Sequence, residues 1–270
     1  MADSEREIVV EQFGAVRRLS LNRPEMRNAQ NRALLDMLDQ AFTEAGEDEA
    51  TRVVILAGKG KHFSAGHDLK EAQANRSFLT AEDRFDQEDA KYLGYCMRIY
   101  DFPKPTIAQV QGACITSGFM MANMCDLVVA SEDAFFADPV CASVACAGPE
   151  VMIAPYVLGF RKAKELLFTG GRLTAQEALD AGMVNRVVPL DRLEEETLEL
   201  AQKVAKAAPF AVKLTKRSLN RMADLAGLRA GINAHFDTHQ ITHHTREFAV
   251  TVEAGLAKAI ENGKALSKAG

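Results

Sequence analysis

The chain has 270 residues, 47% of them hydrophobic and 26% charged, a balance that predicts a globular protein with one large core and a small appendage. Its net charge of −5 leaves no basic face for tracking phosphates, which sets nucleic-acid binding aside. No run approaches a membrane-spanning length and the acidic start "MADSEREIVVEQFG" lacks a signal-peptide core, so a cytoplasmic protein without membrane attachment is expected.

Residues 8–13 and 15–21 are two β-rich runs broken at Gly14, a hairpin signal. The period then changes: Leu34, Leu35, Leu38 and Phe42 recur at helical spacing, and the pattern stops near Gly46. Residues 51–58, "TRVVILAG", predict a buried strand ended by Gly58, which leads into the turn-rich loop "KGKHFSAGHD". Across 70–101, Phe85, Tyr92, Cys96 and Ile99 stand at helix-like intervals before Pro103 and Pro105 close the segment. "TIAQVQG" is a strand, and "CDLVVAS" and "AFFAD" are two more, so a strand, loop, helix and strand unit repeats.

Between them, "VQGACITSGFMMANMCD" (110–126) is a small-residue turn running into an apolar helix start, with no acid or base before Asp126. Such a helix N-terminus suits an anion. After Pro149 a helix begins with Glu150 in its first turn, breaks at Gly159 and resumes. Thr174 and Glu177 form a capping box ahead of a short helix, and a strand follows. From about 190 the strands stop and helix follows helix to 262, with apolar stripes that predict association of copies through this tail. No GxGxxG follows a strand, so a dinucleotide fold is not expected. Five cysteines, Cys96, Cys114, Cys125, Cys141 and Cys146, lack paired or zinc-finger spacing and read as reduced thiols.

Five motifs in order carry a resemblance: "NRPEMRNAQN" (22–31), "FSAGHDLKE" (63–71), "PKPTIAQVQGACITSGF" (103–119), "CDLVVASEDAFFADP" (125–139) and "LFTGGRLTAQEALDAGMVNRVVP" (167–189). Together they resemble the crotonase, or enoyl-CoA hydratase/isomerase, superfamily over roughly residues 5–220. The resemblance implies an α/β fold, a spiral of ββα units over 1–190 with a C-terminal helical region at 191–270 that builds trimers or hexamers. It also implies an acyl-CoA thioester as ligand, with coenzyme A entering as part of the substrate and no separate cofactor or metal.

By the same resemblance, the main-chain N–H groups of His67 and Ser117 would form an oxyanion hole, a pair of fixed donors aimed at the thioester oxygen. "SAGHD" also reads as a strand-to-helix loop capped by Asp68, and Thr116 and Ser117 replace two glycines usual in the second loop. Substrate-binding positions carried over are Arg27, Ala65, Gly66, Asp68, Gly118, Met120, Val140 and Cys146. Two positions depart from the family's hydratases: Met120 stands where the first proton-moving glutamate would be, and the second falls at Val140 or is deleted. That pattern resembles the methylmalonyl-CoA decarboxylase-like branch, and hydration of a simple enoyl thioester is expected to be weak. Asp138 is a candidate proton carrier or a turn aspartate before Pro139. Glu150 reads as a helix-start carboxylate, and Cys146 as pocket lining rather than a nucleophile.

His235, His239 and His243 fall on one helix face with His244 beside them. Their spacing can share a metal, but an exposed or inter-subunit stripe is expected. Arg23, Arg27, Lys70 and Lys264 are candidates for the coenzyme A phosphates, while Ala259 stands where the family's tail has an aromatic.

Overall fold

The computed structural model describes residues 6–76 and 80–255, so Ala259 and Lys264 lie outside the described residues. Strands β1 (Ile8–Phe13) and β2 (Val16–Leu21) form the expected hairpin, and Gly14 supplies the left-handed φ of 61° that closes its two-residue turn. From β2 onward the sheet is parallel: β3 (Val53–Gly58), β4 (Thr106–Val110), β6 (Leu127–Ser131) and β9 (Arg186–Val188) add in the order β1-β2-β3-β4-β6-β9. Here β5 (Ala113–Ile115), β7 (Phe135–Ala137) and β8 (Leu173–Thr174) form a second, three-stranded sheet.

Every residue of β3 is buried, as a parallel strand covered on both faces must be. Its side chains alternate accordingly. Val54 and Leu56 face a core that holds Leu34, Leu38 and Phe42 of α1 (Arg32–Glu47), whereas Val53 and Ile55 pack with Leu193 and Ala201 of α10 (Leu193–Ala205). Helix α1 starts where Asn31 accepts the Leu34 N–H at 2.8 Å.

The 70–101 segment is several helices rather than one: α2 (Leu69–Arg76), α3 (Ala81–Gln87), a π-helical turn at Glu88–Leu93, and α4 (Gly94–Tyr100). Helix α5 (Ser117–Met124) is buried along its whole length, which explains why its sequence is apolar all round. Short α6 (Val140–Ser143), a 3-10 turn at Pro149–Ile153, α7 (Ala154–Leu158) and α8 (Phe160–Thr169) follow, with the expected break at Gly159. The Thr174/Glu177 capping box opens α9 (Ala175–Asp180).

Helices α11 (Pro209–Leu225), α12 (Leu228–Thr242) and α13 (Arg246–Ala254) complete the described chain. Lys216 pins α11 to the body, since its Nζ lies 2.7 Å from Asp126 Oδ2 and donates to the Lys104 carbonyl at 3.1 Å. Elsewhere on α11, Phe210, Leu219, Met222 and Leu225 are exposed. Helix α12 lies against the 3-10 turn at 149–153, which places its histidines beside the loop that precedes that turn.

Candidate active site

Two loops meet at the site, and buried polar side chains hold the first in shape. Asn28 donates from Nδ2 to the carbonyls of Lys59, His62 and Phe63 at 3.0, 2.8 and 3.1 Å. Ser64 Oγ donates to the Asn28 carbonyl at 2.8 Å and accepts from Gln30 Nε2 at 3.0 Å and the Gly66 N–H at 3.2 Å. The Gln30 N–H then donates to Gly66 O and the Asp68 N–H to Gln30 O, a parallel bridge centred on His67. In such a bridge the central residue's own N–H points away from the neighbouring strand. Among the described residues it finds no protein acceptor.

The second loop presents another. The Ile115 N–H donates to Ser64 O and the Thr116 N–H to Ala137 O, both at 3.0 Å. Thr116 has φ 49° and ψ −114°, a conformation that glycine adopts and a β-branched residue rarely does. The backbone reversal there starts α5, and the Ser117 N–H, a donor at the helix N-terminus, likewise has no acceptor among the described residues. The unusual backbone therefore falls on Thr116, one residue before the expected donor, and Ser117 itself is helical.

The loops touch. Gly66 has φ 96°, and a Cβ there would overlap Thr116 Oγ1; a Cβ on Gly118 would stand 2.9 Å from both Ser64 Cβ and Ser64 O. Among the described residues, buried polar atoms without a hydrogen-bond partner include Gln30 Oε1, His67 Nδ1, Ser117 Oγ and Asp138 Oδ2 around these loops, and others elsewhere such as Gln109 Oε1 and Asp224 Oδ1.

Titratable groups here are pushed from their ordinary ranges. The His67 ring stacks on Tyr92 of the π-helical turn at 4.2 Å between centroids, and burial, with His239 adding to it, lowers its pKa to about 4. Asp138 is wholly buried, with only the Val140 N–H near it at 3.5 Å, and desolvation raises its carboxyl to about 7. Glu150 is 3% exposed, and burial first, then Glu88 and Asp138, raise it also to about 7.

Glu150 stands in the first turn of the 3-10 helix as expected, its carboxyl taking its own main-chain N–H, and it is a buried acid as well. A Cβ on Gly148 would lie 2.6 Å from Met120 Cε and 3.1 Å from Glu150 Oε2, so the thioether and the carboxyl share one small space. A carboxyl from the 3-10 turn thus lies next to the side chain that stands where a glutamate was looked for. "PE" at a helix start carries no signal of burial, which depends on α12 packing over the turn.

Val140 follows at the start of α6, half-buried. Cys146 is half-buried, with Sγ 3.7 Å from His239 Nδ1 and Thr242 Oγ1 and 4.0 Å from His235 Nε2. Those ring nitrogens are donors to carbonyls, His235 to Ala147 O at 2.9 Å and His239 to Cys146 O at 3.1 Å. Neither offers the thiol a base, and burial raises its pKa. Of the expected exposed or inter-subunit histidine stripe, the exposed reading is corrected: His235, His239 and His243 are half-buried within the chain, and His244 alone of the four is exposed.

The other expected binding residues play supporting parts. Asp68 Oδ1 accepts the Lys70 and Glu71 N–H groups at 3.1 and 3.3 Å, and Oδ2 takes Arg23 Nη1 at 3.0 Å. Burial would raise its pKa, but the Glu71 N–H and Arg23 offset that and hold it below the ordinary range. Asp68 is therefore a cap and brace. Arg23 is engaged by Asp68, Glu7 and the Ala29 carbonyl. Arg27 has an exposed side chain, and its carbonyl accepts the Ala65 N–H at 2.9 Å. Lys70 is also exposed.

A family model described as enoyl-CoA hydratase/isomerase matches residues 11–266. The Mycobacterium tuberculosis protein assigned as enoyl-CoA hydratase EchA13 is 40% identical over 247 residues, covering 85% of this chain and 78% of its own. A solved structure assigned as an enoyl-CoA hydratase from Mycobacterium smegmatis superposes with a TM-score of 0.82 at 45% identity, covering 88% of this chain and 94% of that one. An enoyl-CoA hydratase/isomerase from Xanthobacter autotrophicus Py2 superposes at 0.87 with 33% identity, covering 96% and 97%.

Proposed function

The chain belongs to the enoyl-CoA hydratase/isomerase family, and from that premise we propose that it holds a thioester enolate between the main-chain N–H groups of His67 and Ser117. The observation that carries this reading is that both groups lack a protein acceptor on loops that touch through Gly66 and Thr116. Two fixed donors aimed where charge develops stabilise an oxyanion without reorganising, and the start of α5 adds its positive end. Coenzyme A enters as part of the substrate, and the apolar face of α11 supports assembly of the chain into a trimer or hexamer.

The reaction is enolate chemistry other than simple hydration, such as loss of a carboxylate or another cleavage next to the thioester carbonyl. Met120 and Val140 cannot move a proton, and each positioned acid or base is worth about 10²–10⁴-fold in rate. Asp138 and Glu150 supply proton transfer in their place. With both carboxyls raised to about 7, a protonated and an ionised member coexist at neutral pH. The ionised one takes or returns a proton at the acyl α-carbon, and the electron pair moves onto the oxygen held by His67 and Ser117. Two buried acids held off their ordinary pKa count against a protein that only binds acyl-CoA.

Exchange of α-deuterium from a saturated, deuterated acyl-CoA, followed by NMR, tests enolate formation directly. Wash-out that Glu150→Gln or Asp138→Asn slows by about 10²-fold or more supports the assignment. A bound acyl-CoA whose α-deuterium stays in place would overturn it.

A further inference from the structure

Away from the proposed oxyanion donors, Glu88 in the π-helical turn and His239 and His243, four residues apart on α12, each bring one ligand atom to within 4.8 Å of the other two. The polarity of this contact needs a cation. His239 Nδ1 lies 3.1 Å from the Cys146 carbonyl oxygen, which can only accept, so Nδ1 carries the ring proton and Nε2 presents its lone pair. That lone pair faces Glu88 Oε2 at 3.6 Å, and the same oxygen already accepts from Gln240 Nε2 at 2.6 Å. Two acceptors facing each other repel unless positive charge lies between them.

The spacing suits a metal. Zinc bonds of about 2.0–2.1 Å at tetrahedral angles set ligand atoms roughly 3.3 Å apart; Glu88 Oε2 and His239 Nε2 stand at 3.6 Å, and the set with His243 lies within 4.8 Å, so binding draws the three ligands together. The surroundings are those of a ligand set as well: the other ring nitrogen of His239 is tied to a main-chain carbonyl, and Gln240 steadies the carboxylate. His243 stacks edge-on against His239 at 4.7 Å between centroids, one helical turn along the same face.

We propose that Glu88, His239 and His243 bind a divalent transition-metal ion of the zinc class, with a fourth position open to water. Two imidazoles and one carboxylate suit zinc, whereas magnesium and calcium call for oxygen donors throughout. The ion joins α12 to the π-helical turn that carries Tyr92, whose ring lies on His67. Metal binding at this place therefore braces the wall beside His67, and it stands whether or not the enolate reading does.

The test uses tag-free, full-length protein stripped with chelator and titrated with Zn²⁺ alone, the bound ion counted by atomic emission and Co²⁺ added in parallel as an absorbing probe. The expected result is one ion per chain, with Glu88→Gln and His243→Ala each weakening binding roughly tenfold or more and His244→Ala without effect. Circular dichroism checks that the variants fold, and Glu88→Gln keeps the shape of the side chain if His243→Ala does not. Cobalt should give the visible bands of a four-coordinate centre and no thiolate charge-transfer band. Absence of saturable binding, or equal binding by both ligand variants, overturns the site. A thiolate band overturns it too, because the ion would then sit on Cys146. Should no ion bind and His239 titrate above the ordinary imidazole pKa of about 6.5, a shared proton bridges the pair instead.

Discussion

Gly66 lies so close to Thr116 that it has no room for a side chain, whereas Thr116 carries a side chain on a backbone suited to glycine. Gly66 must lack a Cβ because Thr116 Oγ1 fills that position, while Thr116 holds φ 49°, ψ −114°, a conformation natural to glycine. Residues kept in sparsely populated backbone regions cost about 1–3 kcal/mol each, and such strain gathers at functional sites. Thr116→Gly should therefore raise stability by about 1 kcal/mol, after the entropy that glycine adds to the unfolded chain. A urea midpoint that rises with unchanged slope confirms it; a midpoint that falls would mean that Thr116 Oγ1 packing outweighs the strain. Gly66→Ala should do the reverse, loosening the loop and slowing any enolate exchange.

Asn28 closes the first loop through three carbonyls at once. Removing its amide strands buried acceptors that each cost about 1–3 kcal/mol to leave unpaired. Asn28→Ala should destabilise by roughly 2–4 kcal/mol in chemical denaturation. A change below about 0.5 kcal/mol would show that water replaces the amide without loss.

Much of the frame was legible because it rests on local patterns. The alternation and full burial of β3, the Leu34, Leu35, Leu38 and Phe42 stripe and the Thr174/Glu177 box all follow from neighbours within a few residues. The site was legible where glycine is needed: Gly66 and Gly118 mark where two loops touch. Burial of Glu150 and the inward turn of the histidines were not, because both depend on α12 packing against a turn some 80 residues earlier. Periodicity gave the spacing of His235, His239 and His243 but not which side of the helix meets the protein. The break of 70–101 into α2, α3, a π-helical turn and α4 escaped for a related reason, since helix-like intervals do not show where the period slips.

The buried carboxyls predict a pH dependence of stability with a definite sign. Asp138 and Glu150 have folded pKa values of about 7, above those of an unfolded chain, so the folded state binds more protons and stability falls as pH rises from about 4 to 7. His67, lowered to about 4, acts oppositely between about 4 and 6.5, where the unfolded chain takes the proton. It offsets one of the two carboxyls below about 6.5, so a net decline remains. Asp138→Asn removes one carboxyl and should stabilise the protein at pH 8 by about 2–4 kcal/mol while changing little at pH 4. Equal effects at the two pH values would mean that Asp138 ionises normally.

Hydration of crotonyl-CoA tests whether this chain's chemistry departs from that of a simple hydratase. With Met120 buried and Val140 at the two expected glutamate positions, turnover should lie at least 10²-fold below the roughly 10 per second typical of enzymes. Turnover near that typical rate would show that Asp138 and Glu150 replace the glutamates outright. In that event Glu150→Gln should abolish hydration, since Glu150 is the carboxyl that shares space with Met120.

Binding of the thioester can be measured apart from any reaction, and it decides between an acyl-CoA protein and an interaction scaffold. A ligand that binds only the folded state at 100 times its dissociation constant adds about 2.7 kcal/mol, which a melting experiment resolves easily. Acyl-CoA thioesters of several chain lengths should stabilise the protein, and free coenzyme A should do so less, because it has no thioester carbonyl for the His67 and Ser117 donors. Equal stabilisation by free coenzyme A would remove the two N–H groups from recognition while keeping the ligand. If no thioester shifts the melting point, the acyl-CoA reading falls and the interaction scaffold is left.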